Sequence, residues 1–229
     1  IYRLVYSKVD IWMANAFIHH DYLTMVLGVK SRIFMNYDDY LPYMNISLKR
    51  DEKKIVFMFG GAIEERNRVL EIIKAFERVV LKYDNIKLVI AGFGPEKGGC
   101  IEYVSQSEAL SESVYFHDIK DWDEIVEVFN GCNVLINFAS YSPGSGVILS
   151  AVASGMAVIS SASVNAFRHF VIDSYNGYLV YDELSLIDAM EKYINNPGIL
   201  IKHRERSRKI AKDTLTFDSH LNELNKCLK

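Results

Sequence analysis

The sequence predicts an α/β domain built on a doubly wound parallel sheet. From Lys54 onward, short apolar runs alternate with segments whose apolar residues recur at helical spacing. The first such pair is the run IVFMFG (55–60) and the segment after it, where apolar residues recur from Val69 to Val80. Strands that are apolar throughout are typical of a sheet covered by helices on both faces, with right-handed crossovers. The predicted fold is therefore Rossmann-like.

Five more strands and the helices between them follow from the same patterns. Each strand is a short apolar run, and each helix is a longer segment with apolar residues three or four positions apart. The predicted strands are KLVIAGFG (87–94), SVYFHDI (113–119), NVLINF (133–138), MAVISS (156–161) and GYLVYD (177–182), and the predicted helices cover 101–110, 121–131, 147–154, 167–172 and 184–195.

The two ends of the chain differ from this alternating region. Residues 1–48 are rich in aromatic residues and predict a strand (VDIWMANAF), a helix (HDYLTMVLG) and a second strand (RIFMNYD), whereas LPYMNISLKRDEKK (41–54) is typical of a linker. Beyond Pro197 the chain is predicted to be helical. We therefore divide it into a short amino-terminal portion (1–48), a Rossmann-like domain (49–197) and carboxyl-terminal helices (198–229) that pack back on the first portion. The first residue is Ile rather than Met, so we expect a fragment of a longer chain.

Composition argues against several classes of protein. A formal charge of −3 and a pI near 6.1 argue against nucleic-acid binding over the whole surface. Three cysteines lie far apart without a CxxC pair, which fits free thiols in a reducing compartment, and no apolar run approaches the roughly 20 residues of a membrane span. We expect a cytoplasmic protein. The basic segment KHRERSRKIAK (202–212) suits either a solvated helix face or peripheral contact with an anionic membrane.

Three predicted strand ends carry glycine, and their loops are the candidate binding site. The glycine-bearing groups are Gly60 with Gly61, Gly92 with Gly94, and Gly144, Ser145 and Gly146. Glycine lets backbone N–H groups approach an anion, and a helix that begins there adds the positive end of its dipole. Because parallel strands end at one edge of a sheet, the three loops together favour a phosphate-bearing ligand. The alternative for the last loop is a turn and helix cap alone.

Five phrases of the chain carry a family resemblance. They are FGGAIEERNRVLEIIKAF, KLVIAGFGP, VYFHDI, NVLINFASYSPGSGVILSAVASGMAVIS and IDSYNGYLV. In order and layout they resemble the carboxyl-terminal, donor-binding half of retaining glycosyltransferases of the GT-B fold, the group 1 or family-four class. The resemblance covers the chain from about Val9 to Gly177. It implies that residues 1–48 are the closing portion of an amino-terminal GT-B domain; the alternative is an appendage to the Rossmann-like domain.

Two acidic positions of that family are changed in this sequence. The longest phrase typically carries two glutamates separated by seven residues, and these positions fall on Ser142 and Ser150. In the family, the first glutamate lies near the reacting sugar and the second binds the ribose hydroxyls of the nucleotide. The resemblance therefore implies a place near the sugar for Ser142 and a weaker ribose hydrogen bond for Ser150.

The basic positions of the family are changed as well. The pair that neutralises the leaving diphosphate falls on Ala62 and Asn67, so the neighbouring Arg66 and Arg68 are the candidate substitutes. His117 ends a predicted strand and is a candidate contact for sugar or phosphate, with a structural histidine as the alternative.

The resemblance implies transfer of a sugar from a nucleotide-diphosphate sugar to a saccharide or lipid-linked acceptor, with retention of configuration and without a metal or other cofactor. We expect the donor-binding part alone to be inactive, because the acceptor site belongs to the amino-terminal domain, supplied by the full-length chain or by a partner subunit. The replaced acids and bases leave a second class open: a non-catalytic, glycosyltransferase-like binding or partner subunit.

Overall fold

The computed structural model describes residues 9–14, 17–33, 40–48, 54–119, 122–141, 146–163 and 169–227. These residues form eight strands and ten helices, and α1 continues into a π-helical turn over Tyr22–Val26. The strands are β1 (Trp12–Ala14), β2 (Ser31–Ile33), β3 (Ile55–Gly60), β4 (Ile86–Ala91), β5 (Val114–His117), β6 (Val134–Asn137), β7 (Ala157–Ser161) and β8 (Gly177–Val180). The helices are α1 (Phe17–Asp21), α2 (Leu41–Met44), α3 (Val69–Val80), α4 (Lys97–Ser105), α5 (Glu108–Ser113), α6 (Trp122–Gly131), α7 (Gly146–Ala153), α8 (Glu183–Asn195), α9 (Pro197–Thr214) and α10 (Phe217–Cys227).

The main sheet has six parallel strands in the order β5-β4-β3-β6-β7-β8. Strand β3 pairs with β4 on one side and with β6 on the other, so the order of the strands reverses between β3 and β6. The loops that leave these two strands therefore diverge and open a crevice at their carboxyl ends. This topology confirms the predicted Rossmann-like α/β fold with its helical tail.

Helices cover both faces of this sheet. On β3, successive side chains point to opposite faces, so Phe57 packs with Phe76 of α3 while Met58 packs with the core beneath α7. Helix α3 forms because its apolar residues recur at helical spacing, and this stripe is buried from Val69 to Val79. Two apolar cores result, one on each side of the sheet.

Three sequence predictions need correction. The stretch predicted as a linker contains α2, and its Tyr43 and Ile46 are buried, because buried arginines of α9 bind the backbone of this segment. The helix predicted over 101–110 is divided into α4 and α5, since Ser107 has an extended backbone. The helix predicted over 167–172 lies partly outside the described residues, and the described part, 169–172, is a turn and irregular backbone.

Two strands near the amino end form a small separate sheet. Strands β1 and β2 pair in parallel, with Trp12 opposite Ser31, and α1 lies between them in the chain. The structure thus has a strand, a helix and a strand in this portion, and the helix with its π-helical turn covers Phe17–Val26, whereas much of the predicted second strand lies outside the described residues. The division of the chain at residues 48 and 197 stays a prediction.

The basic segment of α9 is not uniformly solvated. The side chains of Arg204 and Arg208, called here the arginine pair, are buried. Arg204 donates hydrogen bonds to the carbonyl oxygens of Gly155 (3.2 Å) and Leu48 (2.8 Å). Arg208 donates to the carbonyl oxygens of Ile46 (2.7 Å), Ser154 (2.9 Å) and Met44, and burial lowers the pKa of its guanidinium.

Peripheral membrane contact by the exposed lysines of α9 stays a prediction. Across the helices that the structure describes, none is both long and apolar enough to cross a bilayer.

We predict that Arg208→Met lowers the free energy of unfolding by about 3 kcal/mol or more, because it leaves several buried carbonyl groups without a donor. The matched control is Lys202→Met, the same substitution at an exposed position of the same helix. Urea denaturation followed by circular dichroism gives both values, and equal losses for the two variants would contradict the assignment.

Candidate functional site

A cavity of about 260 Å³ opens at the crevice between the end of β3 and the amino end of α7. Four of the predicted site residues line it, namely Gly60, Gly61, Gly146 and Ser150. The rest of its wall is largely apolar and consists of Tyr43, Ala91, Ile119, Ile125, Phe129 and Val147. The structure thus places Gly146, the described end of the third glycine loop, at the same cavity as the first loop.

Glycine at position 60 is needed for the close approach of α7 to β3. A Cβ atom on Gly60 would lie 2.7 Å from Cγ2 of Val147, in the first turn of α7. Gly61 has a φ of +135°, which favours glycine, and Gly146 would meet nothing within 4 Å. The first N–H groups of a helix have no intrahelical partner, so the start of α7 offers donors and a positive dipole end to this cavity.

The second glycine loop, after β4, packs closely against the first, after β3. A Cβ atom would lie 1.9 Å from the Gly61 carbonyl oxygen if placed on Gly92, and 2.3 Å from that of Ile63 if placed on Gly94. Backbone hydrogen bonds join these loops, from Gly61 to Ala91 (3.0 Å), from Ile63 to Phe93 (2.9 Å) and from Glu96 to Ile63 (3.1 Å). Packing between the loops therefore accounts for glycine at 92 and 94, and their direct contact with a ligand stays a prediction.

The two predicted arginines lie on the loop after β3, which is tied to the loop after β6. The Ser140 backbone N–H and hydroxyl both donate to the carbonyl oxygen of Arg66, at 2.8 and 3.2 Å. Arg68 has a left-handed backbone, with φ of +53°, and its guanidinium lies 5.5 Å from the ring centre of Phe138, beyond the end of β6. Arg66 instead pairs with Glu64 at 2.9 Å, in an exposed pair.

The remaining candidate positions are placed differently. Ser142, Gly144 and Ser145 lie outside the described residues. Ser150 is buried in α7, one turn after Gly146, and faces the cavity. His117 ends β5, two strands away from β3, and does not line the cavity; its Nε2 atom lies 3.1 Å from Oε1 of Glu124.

Sequence reasoning missed most of the apolar wall. Tyr43 and Phe129 pack edge to face, with ring centres 5.1 Å apart, and both are buried. Phe129 belongs to the helical pattern of α6, but that pattern could not indicate a cavity. Tyr43 had been assigned to a linker, since a single turn of helix leaves too short a pattern to detect.

The described residues contain no cluster of three or more His, Cys, Asp or Glu side chains arranged to hold a metal ion. The expectation of a reaction without metal stays a prediction.

The site can now be compared with known proteins. A family model described as "Glycosyl transferases group 1" matches residues 44–214, which is most of the chain. The chain belongs to this family. The resemblance noted in the sequence is thereby confirmed at the level of the group 1 family. By sequence, no curated protein matches the chain.

Solved structures of this kind share the fold. The C-terminal domain of the group 1 family glycosyl transferase LpcC from Francisella tularensis matches with a TM-score of 0.65 and 22% identity, over 71% of this chain and 87% of that domain. Anabaena HepE, solved in complex with UDP, matches with a TM-score of 0.81 and 14% identity over 99% of this chain. Sucrose-phosphate synthase from Thermosynechococcus elongatus gives 0.79 and 16%, also over 99%. The chain spans 65% and 59% of the lengths of these last two proteins.

We predict that Gly60→Ala lowers the free energy of unfolding by about 1 to 2 kcal/mol, because the new methyl group overlaps Val147 and a valine in a helix has little rotamer freedom. Introduced into Val147→Ala, the same change is expected to cost less than about 0.5 kcal/mol, since the overlapping Cγ2 atom is gone. Urea denaturation of the wild type, the two single variants and the double variant measures this coupling energy. If the two costs are additive, the new methyl group does not clash with Val147 and the prediction is wrong.

Proposed function

We propose that this chain binds the nucleotide-diphosphate sugar donor of a glycosyl transfer reaction. The observation that carries the proposal is the cavity at the β3/β6 crevice, where two glycine loops and the start of α7 converge. Backbone N–H groups and a helix dipole suit a diphosphate. The apolar wall beyond them, with the Tyr43 and Phe129 rings, suits a nucleobase, and the Ser150 hydroxyl lies where it can donate to or accept from a ribose hydroxyl.

Arg68 is our candidate for the cation that stabilises the leaving diphosphate. Its guanidinium lies beside Phe138 at the carboxyl end of β6, whereas that of Arg66 pairs with Glu64. A guanidinium binds two phosphate oxygens at once, which a single amide or hydroxyl cannot do. The Arg66 backbone has a separate role, since its carbonyl oxygen positions Ser140.

The remaining steps of the proposed reaction need a second domain. The acceptor, a saccharide or a lipid-linked saccharide, would bind between this chain and that domain, which a longer chain or a partner subunit provides. In this proposal the transfer proceeds with retention, and it needs no metal because a guanidinium and the dipoles of backbone N–H groups stabilise the charge of the diphosphate.

One observation favours a second candidate, a binding module without turnover. The side-chain amide of Asn67 donates a hydrogen bond to the carbonyl oxygen of Ala62 at 2.7 Å. These two residues occupy the positions of the family's basic pair, and here one of them holds the loop instead of a phosphate. A chain that binds the donor without breaking it would fit this arrangement.

We predict that the chain binds UDP or GDP, and that Arg68→Ala weakens this binding about 10-fold or more while leaving the affinity for the bare nucleoside unchanged. The reason is the loss of a charge-assisted hydrogen bond to phosphate, which is typically worth about 1.5 to 3 kcal/mol. Isothermal titration calorimetry with the diphosphates, their sugars and the nucleosides measures both quantities.

The control is Arg78→Ala, which removes an exposed arginine of α3 that pairs with Glu183. If no nucleotide binds to the wild-type chain, the donor proposal fails. If Arg66→Ala rather than Arg68→Ala lowers the affinity for the diphosphate, the assignment of Arg68 is wrong and Arg66 is the phosphate ligand. Binding of a nucleotide sugar without turnover, once the second domain is present, would favour the binding module.

A further inference from the structure

Three aromatic side chains stand exposed at the carboxyl edge of the sheet, outside the cavity. Phe93 follows β4, Tyr141 follows β6 and Tyr181 follows β8, with exposed fractions of 76, 58 and 79%. Six large aromatic side chains in the described part of the chain are exposed, so half of them lie at this one edge. We call these three residues the aromatic row.

The strands that precede the members of the row are evenly spaced in the sheet. Strands β4, β6 and β8 are alternate strands in the order β5-β4-β3-β6-β7-β8. Neighbouring strands lie about 4.8 Å apart, so the three loops follow one another at intervals of about 10 Å. In the sequence, each ring has a polar residue or a glycine beside it, namely Gly94, Ser140 and Asp182. Such spacing differs from the contiguous apolar patch that is typical of a protein interface.

Hydrogen bonds to neighbouring segments hold the backbone at or next to each ring. The carbonyl oxygen of Phe93 accepts from Ile63 (2.9 Å), Ser140 donates to Arg66 just before Tyr141, and the N–H of Tyr181 donates to the Ser185 hydroxyl (2.9 Å). A ring on an anchored backbone loses less conformational entropy on binding than one on a mobile loop, which favours affinity. Exposed rings on anchored backbone are thus suited to a ligand.

We propose that the aromatic row binds the outer part of the acceptor's saccharide chain, beyond the sugar that is held at the acceptor site of the amino-terminal domain. A sugar ring has an apolar face of C–H groups that stacks on an aromatic face, and a rim of hydroxyl groups that bonds to polar residues and water. Separate rings with polar residues between them therefore match an extended run of linked sugars better than a lipid tail. The inference rests on the proposed function, because Phe93 and Tyr141 adjoin the loops that surround the donor cavity.

The test is titration of the chain with three neutral hexasaccharides: maltohexaose, cellohexaose and chitohexaose. We expect at least one of them to bind, and the triple variant F93S/Y141S/Y181S to weaken this binding roughly 30-fold or more, at about 3- to 10-fold for each ring. The pair Y141F/Y181F keeps both rings and is expected to retain the affinity. Calorimetry gives the dissociation constants, and circular dichroism shows that each variant folds.

The matched control is Y22S/Y115S/F217S, which removes the same residue types from exposed positions outside these loops. It is expected to leave the affinity within about 2-fold of wild type, and an equal loss in both triple variants would overturn the proposal. So would a loss of affinity in Y141F/Y181F.

Binding of UDP without any hexasaccharide binding overturns the aromatic row and leaves the donor proposal standing, whereas failure of both ligands overturns both. Phosphatidylglycerol vesicles are the remaining arm. If the chain binds these vesicles but no hexasaccharide, and the triple variant F93S/Y141S/Y181S loses this binding, the row is a membrane contact and the saccharide proposal is overturned.

Discussion

The position of α7 depends on the arginine pair of α9. Helix α7 ends in a left-handed glycine, Gly155, and its last turn has the two hydrogen bonds of a Schellman motif, from Gly155 to Val152 and from Met156 to Ala151. The carbonyl oxygens just past this end, those of Ser154 and Gly155, accept from Arg208 and Arg204. Two guanidinium groups at the negative end of the helix complement its dipole. Because the carboxyl end of α7 is held in this way, its amino end is held against β3 at the cavity.

The same two arginines place a wall of the cavity. They bind the backbone of Met44, Ile46 and Leu48, so the segment that carries Tyr43 is fixed to the end of α7. On the other side, a Cβ atom on Gly155 would lie 2.3 Å from Leu48, which leaves no room for a larger residue. A contact far from the crevice thus helps to position both the helix start and the aromatic ring that line the cavity. Substitutions at the arginine pair are therefore expected to act on the site as well as on stability.

The sequence predicted the sheet because its signal is local. Runs such as the one ending at Gly60 carry their own apolar pattern, and α3 carries its own spacing, so both can be recognised without knowledge of their neighbours. Tyr43 and the arginine pair could not be placed, because their burial results from contacts between segments more than 150 positions apart. Gly92 is predicted to bind the donor, and this stays a prediction; the structure shows that glycine is needed there because of the Gly61 carbonyl in the neighbouring loop, which no local pattern contains.

The groups that line the cavity indicate that the proposed donor binding and catalysis depend on different parts of the chain. Its candidate diphosphate ligands are backbone N–H groups and a helix end, which the fold holds in place regardless of whether Ser150 or a glutamate occupies that position. The proposed donor binding therefore depends mainly on backbone packing, which does not require either side chain. Catalysis requires extra stabilisation of charge that develops only in the transition state, and such charge is balanced by side chains placed for that purpose. With Asn67 bonded to Ala62 in the loop, the proposed reaction assigns that requirement to Arg68, whose guanidinium lies beside Phe138.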